Sequence, residues 1–449
     1  MTRPQSSRTS PDYARMNILI KNGRVIDPAS GFDQQADMAL AEGRVSAIGS
    51  SPPDFHADRV IDATDCIVMP GLVDLAARLR EPGYEHEGML DSEMAAAVAG
   101  GVTSLVCQPD TDPVLDEAGL VEMLKFRAEK LQRARLFPLG ALTCGLAGEV
   151  LTEMAALTEA GCIGFSQAEV ALKSSLVLQR ALSYAATFGY TVWLRPQDRD
   201  LGSGVAASGA LATRLGLSGV PVAAETIALF TIFEFMKTTG ARVHLCRLSS
   251  AAGVQLVREA KAAGLPLTCD VSINSLHLTD TDIGFFDSRA RLNPPLRQQR
   301  DRDALSAGLA DGTIDALVSD HTPVEADAKT LPFAEAEAGA TGLELLLPLA
   351  LKWGEQSGAG LRRALQVVTA APAGLLRGSG QALSTTPPVG GEGRLVVGGV
   401  ADLCLVEPDT EWQVTADALR SQGKHTPFGG YALRGRVRMT LVDGRVVHG

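Results

Sequence analysis

Histidine is scarce in this sequence and poorly spaced for metal binding. There are seven (56, 86, 244, 277, 321, 425 and 448), and none falls in an HxH or HExxH arrangement. The seven cysteines (66, 107, 144, 162, 246, 269 and 404) include no CxxC pair, and most stand inside apolar runs such as Leu403-Cys404-Leu405. That pattern excludes a zinc ribbon or disulfide framework and reads as reduced, buried thiols in a cytoplasmic protein. No GxSxG elbow and no Ser-His-Asp or Cys-His constellation is evident, which removes the usual nucleophilic hydrolases. The longest largely apolar stretch, around Leu343–Ala350, is too short to cross a bilayer. Basic excess is also missing. The net charge of −11 disfavours nucleic acid and anionic membrane surfaces as partners. The first fifteen residues carry three Arg and three Ser with no apolar core, so they do not read as a signal peptide. Residues 1–15 are expected to be a disordered extension ahead of Met16, which opens the first strand-like run.

What is present is a chain of 449 residues, 45% hydrophobic and 21% charged, enough for a large barrel with a satellite domain. Residues 16–66 and 394–449 read as strands and hairpins: Asn17–Ile20 with a turn at Asn22-Gly23, Val45–Ile48 after Glu42-Gly43, and Thr440–Val447 around Asp443-Gly444. These ends suggest a small β-sandwich built from both termini. Between them, over 67–377, eight β-rich runs alternate with helical patterns: 67–75, 103–108, 136–142, 162–167, 191–197, 242–249, 265–272 and 316–320. An α/β fold follows. Alternation alone is shared with an open doubly wound sheet, and the count of eight favours a closed (β/α)8 barrel. A Pro- and Gly-rich stretch, 378–393, reads as the linker back to the β domain.

Barrel chemistry sits at the C-terminal ends of the strands. The first end reads Met69-Pro70-Gly71-Leu72-Val73-Asp74-Leu75-Ala76-Ala77-Arg78-Leu79-Arg80. Later come Cys107-Gln108-Pro109-Asp110, Arg291-Leu292-Asn293-Pro294-Pro295-Leu296-Arg297, Ser319-Asp320-His321-Thr322-Pro323 and Gly339-Ala340-Thr341-Gly342. This string resembles the dihydroorotases of the amidohydrolase superfamily over nearly the whole chain. The resemblance implies a TIM-like barrel and the reversible cyclisation of N-carbamoyl-aspartate to dihydroorotate in pyrimidine synthesis. It also implies a zinc centre held by two histidines after strand one, an acid after strand four, histidines after strands five and six, and an aspartate after strand eight.

At those positions stand Ala76 and Arg78, Gln167 or Ala168, Arg195, Arg247 and Asp320. Only Asp320 matches. Zinc needs three or four N, O or S donors at about 2 Å; alanine offers none, and arginine stays protonated. The expectation is therefore that zinc is lost and that no residue is catalytic, Asp320 being a remnant. Of the substrate-gripping positions the resemblance implies, Arg80 and Asn293 are kept. Asparagine is replaced by Asp110, whose carboxylate would repel dihydroorotate, and the His-His pair of the strand-seven loop is replaced by Ile273-Asn274-Ser275-Leu276-His277. His321 reads as a strand-end histidine beside the site. His244, three residues before Arg247, reads as a core residue on the opposite strand face.

Arg78, Arg195 and Arg247 should converge at the mouth, with Asp320 as shared partner and an excess of positive charge unless Asp110 or Glu169 contributes. Three readings follow. The first is a non-catalytic partner of the aspartate transcarbamoylase catalytic chain, like the degenerate dihydroorotases of some bacteria, and oligomeric. The second is an active cyclic-amide hydrolase. The third is a regulatory module binding a small anion in the arginine pocket.

Overall fold

A computed structural model describes residues 16–50, 54–377 and 393–449. The expected extension at 1–15, and the expected linker at 378–393 apart from its last residue, lie outside the described residues.

The terminal strands form one hydrogen-bonded sheet of eight strands: Ile18–Asp27, Phe32–Ala41, Arg44–Gly49, Arg59–Asp62, Ile67–Pro70, Leu403–Gln413, Ala432–Val442 and Arg445–His448. The sheet curls until Arg44 bridges Val400, so the two layers of the sandwich are halves of a single folded sheet around Ile20, Val25, Val68, Leu403 and Leu441. The hairpin turns at Glu42-Gly43 and Asp443-Gly444 form as expected, with φ values of 51° and 76°, and 52° and 70°. Asn22-Gly23 does not turn the chain. It is a bulge inside one ten-residue strand, where the register shifts between Ile20 and Gly23. A Cβ on Gly23 would stand 2.6 Å from Val68 Cγ2 and 3.1 Å from Ala63 Cβ. Gly23→Ala is expected to cost about 1–3 kcal/mol by overpacking, measured by urea unfolding; an unchanged midpoint would show that the bulge can open at no cost.

The run expected at 67–75 divides. Ile67–Pro70 joins the terminal sheet, pairing with Arg24–Val25 on one side and Leu403–Val406 on the other, and the first barrel strand is Leu72–Ala77. Barrel strands two to eight are Val102–Cys107, Arg135–Pro138 continued by Gly140–Ala141, Phe165–Ser166, Thr191–Leu194, Arg242–Leu245, Leu267–Ser272 and Ala316–Val318. All neighbouring pairs are parallel, and the two pieces of strand three join strands one and two to strands four to eight. A helix follows every strand. Ser175–Phe188 is typical: the Ser174 hydroxyl accepts the Leu176 N–H at 3.2 Å, Gly189 ends it at φ 71°, and Leu178, Ala181, Leu182 and Ala185 form its buried face.

Strands eight and one close the barrel with limited direct pairing. His321 bridges Ala77, and the buried carboxylate of Asp74 accepts the Ser319 N–H at 2.9 Å and hydroxyl at 2.5 Å. Lower down, Val367 and Val368 lie between the two strands, their carbonyls accepting from Leu317 and Val73. The barrel interior is filled by Val73, Leu75, Val106, Leu139, Ile163, Trp193, Cys246, Ala316 and Val318.

Candidate functional site

At the mouth of this barrel the three expected arginines meet, and they meet on Glu169. Arg78 Nη2 donates to Glu169 Oε1 at 2.8 Å, Arg247 Nη2 donates to the same oxygen, and Arg195 Nη1 donates to Oε2. Asn293 Nδ2 adds a fourth bond to Oε2, at 2.7 Å. The outer donors of Arg78 and Arg247 are also engaged. Arg78 reaches Asp110 at 2.8 Å and Thr322 at 3.1 Å, while Arg247 reaches Asp320 at 3.0 Å and the Asn293 carbonyl at 3.3 Å. Three guanidiniums thus face three carboxylates, Asp110, Glu169 and Asp320, and the excess positive charge anticipated from the sequence is cancelled from within.

Local backbone geometry produces this convergence. Ala168 (φ 49°), Arg247 (φ 56°) and Asp320 (φ 51°) leave their strands in the left-handed region, which redirects the residues at the rim. Burial pushes the Glu169 carboxyl up, but Arg247, Arg195 and Arg78 together outweigh it and hold the group well below the usual carboxylate range. For Asp320 burial wins over the pull of Arg247 and Arg78, and its carboxyl is raised.

The other expected positions are placed as follows. Ala76 points its methyl into the apolar barrel interior. Gln167 is buried, its amide accepting from Thr143 at 3.0 Å and donating to the Leu146 carbonyl at 2.8 Å, so it does not reach the arginines. Arg80 is drawn to Glu87 at 2.6 Å, Glu337 and the Pro323 carbonyl. His321 lies fully buried between Glu93, 2.8 Å from Nε2, and the Gly342 N–H, 3.2 Å from Nδ1. Ser421 also donates to Glu93, which fastens the C-terminal segment to the mouth. His277 donates Nε2–H to the Leu349 carbonyl, and burial lowers its pKa to about 4.

His244 is a buried, hydrogen-bonded core residue as expected, but the strand face assigned to it is corrected. It does not face away from the site strand; it sits inside the barrel against Trp193, ring centroids 4.2 Å apart. The offset from Arg247 misleads because Arg247 has already left the strand in its left-handed turn. His244, Cys246 and Asp270 are the one group among the described residues that gathers metal-ligating atoms, all within 4.8 Å of one another. Their atoms are engaged among themselves and their neighbours. His244 contacts Asp270 at 2.9 Å and Thr268 at 2.8 Å, and the other Asp270 oxygen accepts the Arg247 N–H at 2.6 Å.

The side chains at the mouth do not fit a divalent ion. The positions that should ligate carry a methyl, a carboxamide turned to backbone and three guanidiniums, leaving Asp320 alone as a donor, already bonded to Arg247. No hydrolytic step through a metal follows from this arrangement.

The sequence relatives decide the family. A Pseudomonas putida protein named Dihydroorotase-like protein is 44% identical over 435 residues, 97% of this chain and 100% of that protein. The chain belongs to the dihydroorotase-like family. The dihydro-orotase-like family pattern itself matches residues 65–252. A Pseudomonas aeruginosa Dihydroorotase-like protein is 43% identical over 96% of this chain, and a Geobacter sp. protein named Dihydroorotase is 39% identical over 96%. Among solved structures, L-hydantoinase from Arthrobacter aurescens superposes with a TM-score of 0.82 at 26% identity, covering 96% of both chains. Dihydropyrimidinase from Brevibacillus agri, at 21% identity and a TM-score of 0.80, shares the fold. This dihydroorotase-like chain is thus a TIM-barrel amidohydrolase in architecture. Among its described residues no helix is long and apolar enough to cross a membrane.

Proposed function

We propose that this chain is a non-catalytic dihydroorotase-like protein that binds no zinc and serves as an assembly partner, in the cytoplasm, of the aspartate transcarbamoylase catalytic chain. One observation carries the loss of catalysis: Glu169 and three guanidiniums occupy the mouth where a dication and its water would have to stand. A divalent ion there would have to displace three guanidiniums from Asp110, Glu169 and Asp320, the carboxylates they already occupy, and would find no histidine to hold it. Without an activated water or a Lewis acid, a cyclic amide meets no nucleophile. The partnership rests on the resemblance to bacterial dihydroorotase-like chains and on the intact framework around the ion cluster.

Two other readings have specific support. Relatives named Dihydroorotase favour a cyclic-amide hydrolase, but the donor set disfavours it. An anion bound at the centre of the arginines is favoured by their number and opposed by the three carboxylates already pairing them.

Zinc content by mass spectrometry, after expression with and without added zinc, separates these readings when joined to a dihydroorotate assay and co-purification with aspartate transcarbamoylase. Metal near zero in both preparations, no turnover and a stable co-complex are expected. One or two retained zincs with turnover would overturn the non-catalytic reading; failure to associate would overturn the partnership.

A further inference from the structure

The chain after strand seven carries two aromatic rings that neither the core nor the ion cluster uses. Phe285 is 90% exposed and Phe286 37%, and the rings meet edge to face with centroids 5.3 Å apart. Phe286 also takes a left-handed backbone conformation (φ 60°), which a bulky side chain adopts only at a cost. The loop that presents them is fastened on both sides. Ile283 and Ala290 are buried in the main core, and the Thr279 N–H donates to Asp282 at 2.7 Å. Asp287 accepts the Arg289 N–H at 3.0 Å and the Arg289 guanidinium at 2.7 Å. The Ser288 hydroxyl donates to the Lys329 carbonyl, which ties the loop to the segment 325–337, where Leu331 is 48% exposed. Two rings held in water on a braced backbone have little freedom left to lose on binding, the character of an interface anchor.

Charge decides what can cover them. Asp282, Glu325, Asp327 and Glu335 are exposed on these two segments. The cations of the same segments are spoken for: Arg289 is held by Asp287, and Lys329 is buried, its ammonium donating to the Arg291 and Glu337 carbonyls. The rings therefore stand in an acidic collar. A second copy of this chain would bring the same collar to a two-fold contact and be repelled, whereas a basic rim would be drawn in.

We propose that Phe285 and Phe286 anchor this chain in an apolar pocket of a partner protein whose rim is rich in lysine and arginine, with Glu325 and Glu335 facing that rim. In taking the aspartate transcarbamoylase catalytic chain as the partner, the proposal rests on the assembly role given above. It does not depend on whether the mouth is catalytic.

Calorimetric titration of the full chain against purified aspartate transcarbamoylase catalytic chain tests the proposal. Phe285→Ser should weaken association by about 30-fold, as loss of a central aromatic anchor does, and should leave the urea midpoint of the free chain unchanged because the ring is exposed. Phe230→Ser, which removes a 56% exposed ring from the helix Val222–Thr239, should leave the affinity as it is. Glu325→Lys with Glu335→Lys should slow association, and added salt should weaken binding of the native chain. Native affinity in Phe285→Ser, or equal losses in Phe285→Ser and Phe230→Ser, would overturn the anchor and leave the partnership standing. Association indifferent to salt and to the two lysines would overturn the basic rim. No association of the native chain would overturn anchor and partnership together.

Discussion

Replacing Glu169 by alanine is expected to destabilise the chain by about 3 kcal/mol or more in chemical denaturation, far beyond a typical surface substitution. The carboxylate accepts from Arg78, Arg195, Arg247 and Asn293 at once, and its side chain is 28% exposed. Its removal leaves Arg195 without a carboxylate and three cations facing two acids. The deficit should depend on pH. A carboxyl whose folded pKa lies below its unfolded value of about 4.3 stabilises fully above that value and loses the contribution as pH falls through the folded pKa. Glu169 is lowered, so the native chain should exceed the alanine variant most near neutrality, and the two should converge in acid. A double variant that also carries Arg195→Leu should lose less than the sum of the single losses, because the two side chains interact directly. A deficit under about 1 kcal/mol would mean that the ion cluster does not brace the mouth.

Restoring the ligand pattern should change metal content far more than activity. A chain carrying Ala76→His, Arg78→His, Gln167→Asp, Arg195→His and Arg247→His loses all three guanidiniums while keeping Asp110, Glu169 and Asp320. Nitrogen and oxygen donors then replace fixed positive charge, and zinc should rise from near zero to about one per chain. Hydrolysis of dihydroorotate should stay at background. Asp110 would sit unpaired where a substrate carboxylate must approach, and Arg80 is held by Glu87 at 2.6 Å. Turnover in this variant would show that the ligands alone suppress the reaction and that Asp110 and the strand-seven loop matter little.

The fold was largely legible because its signals are periodic. Each of the eight β-rich runs overlaps a barrel strand, and the Glu42-Gly43 and Asp443-Gly444 turns form where their residues require. The misreadings arose where local signals are ambiguous. Asn22-Gly23 suits a hairpin and a bulge equally, and only the approach of Val68 decides between them. The run at 67–75 is apolar throughout, so nothing in it marks the point where Ile67–Pro70 passes to another sheet. At the site, the resemblance to the dihydroorotase pattern, more than any spacing, put Arg78, Arg195 and Arg247 at one mouth. Glu169 could be named from the sequence only as a possible contributor beside Asp320; that Glu169 and not Asp320 is the shared partner goes with the left-handed conformation of Ala168, which alanine does not announce. For the same reason, counting alternate residues back from Arg247 put His244 on the wrong side.

The strand Ile67–Pro70 is hydrogen-bonded on one flank to the strand Ile18–Asp27 and on the other to Leu403–Val406, which follow it by more than three hundred residues. A ribosome delivers those partners in sequence, so the N-terminal strands emerge with one flank unmatched and keep it until nearly the whole chain has been synthesised. Loop closure over that distance is entropically costly, and such non-local pairing slows folding. Nascent or C-terminally shortened chains therefore expose an unpaired strand edge, the surface on which aggregation and chaperone capture begin.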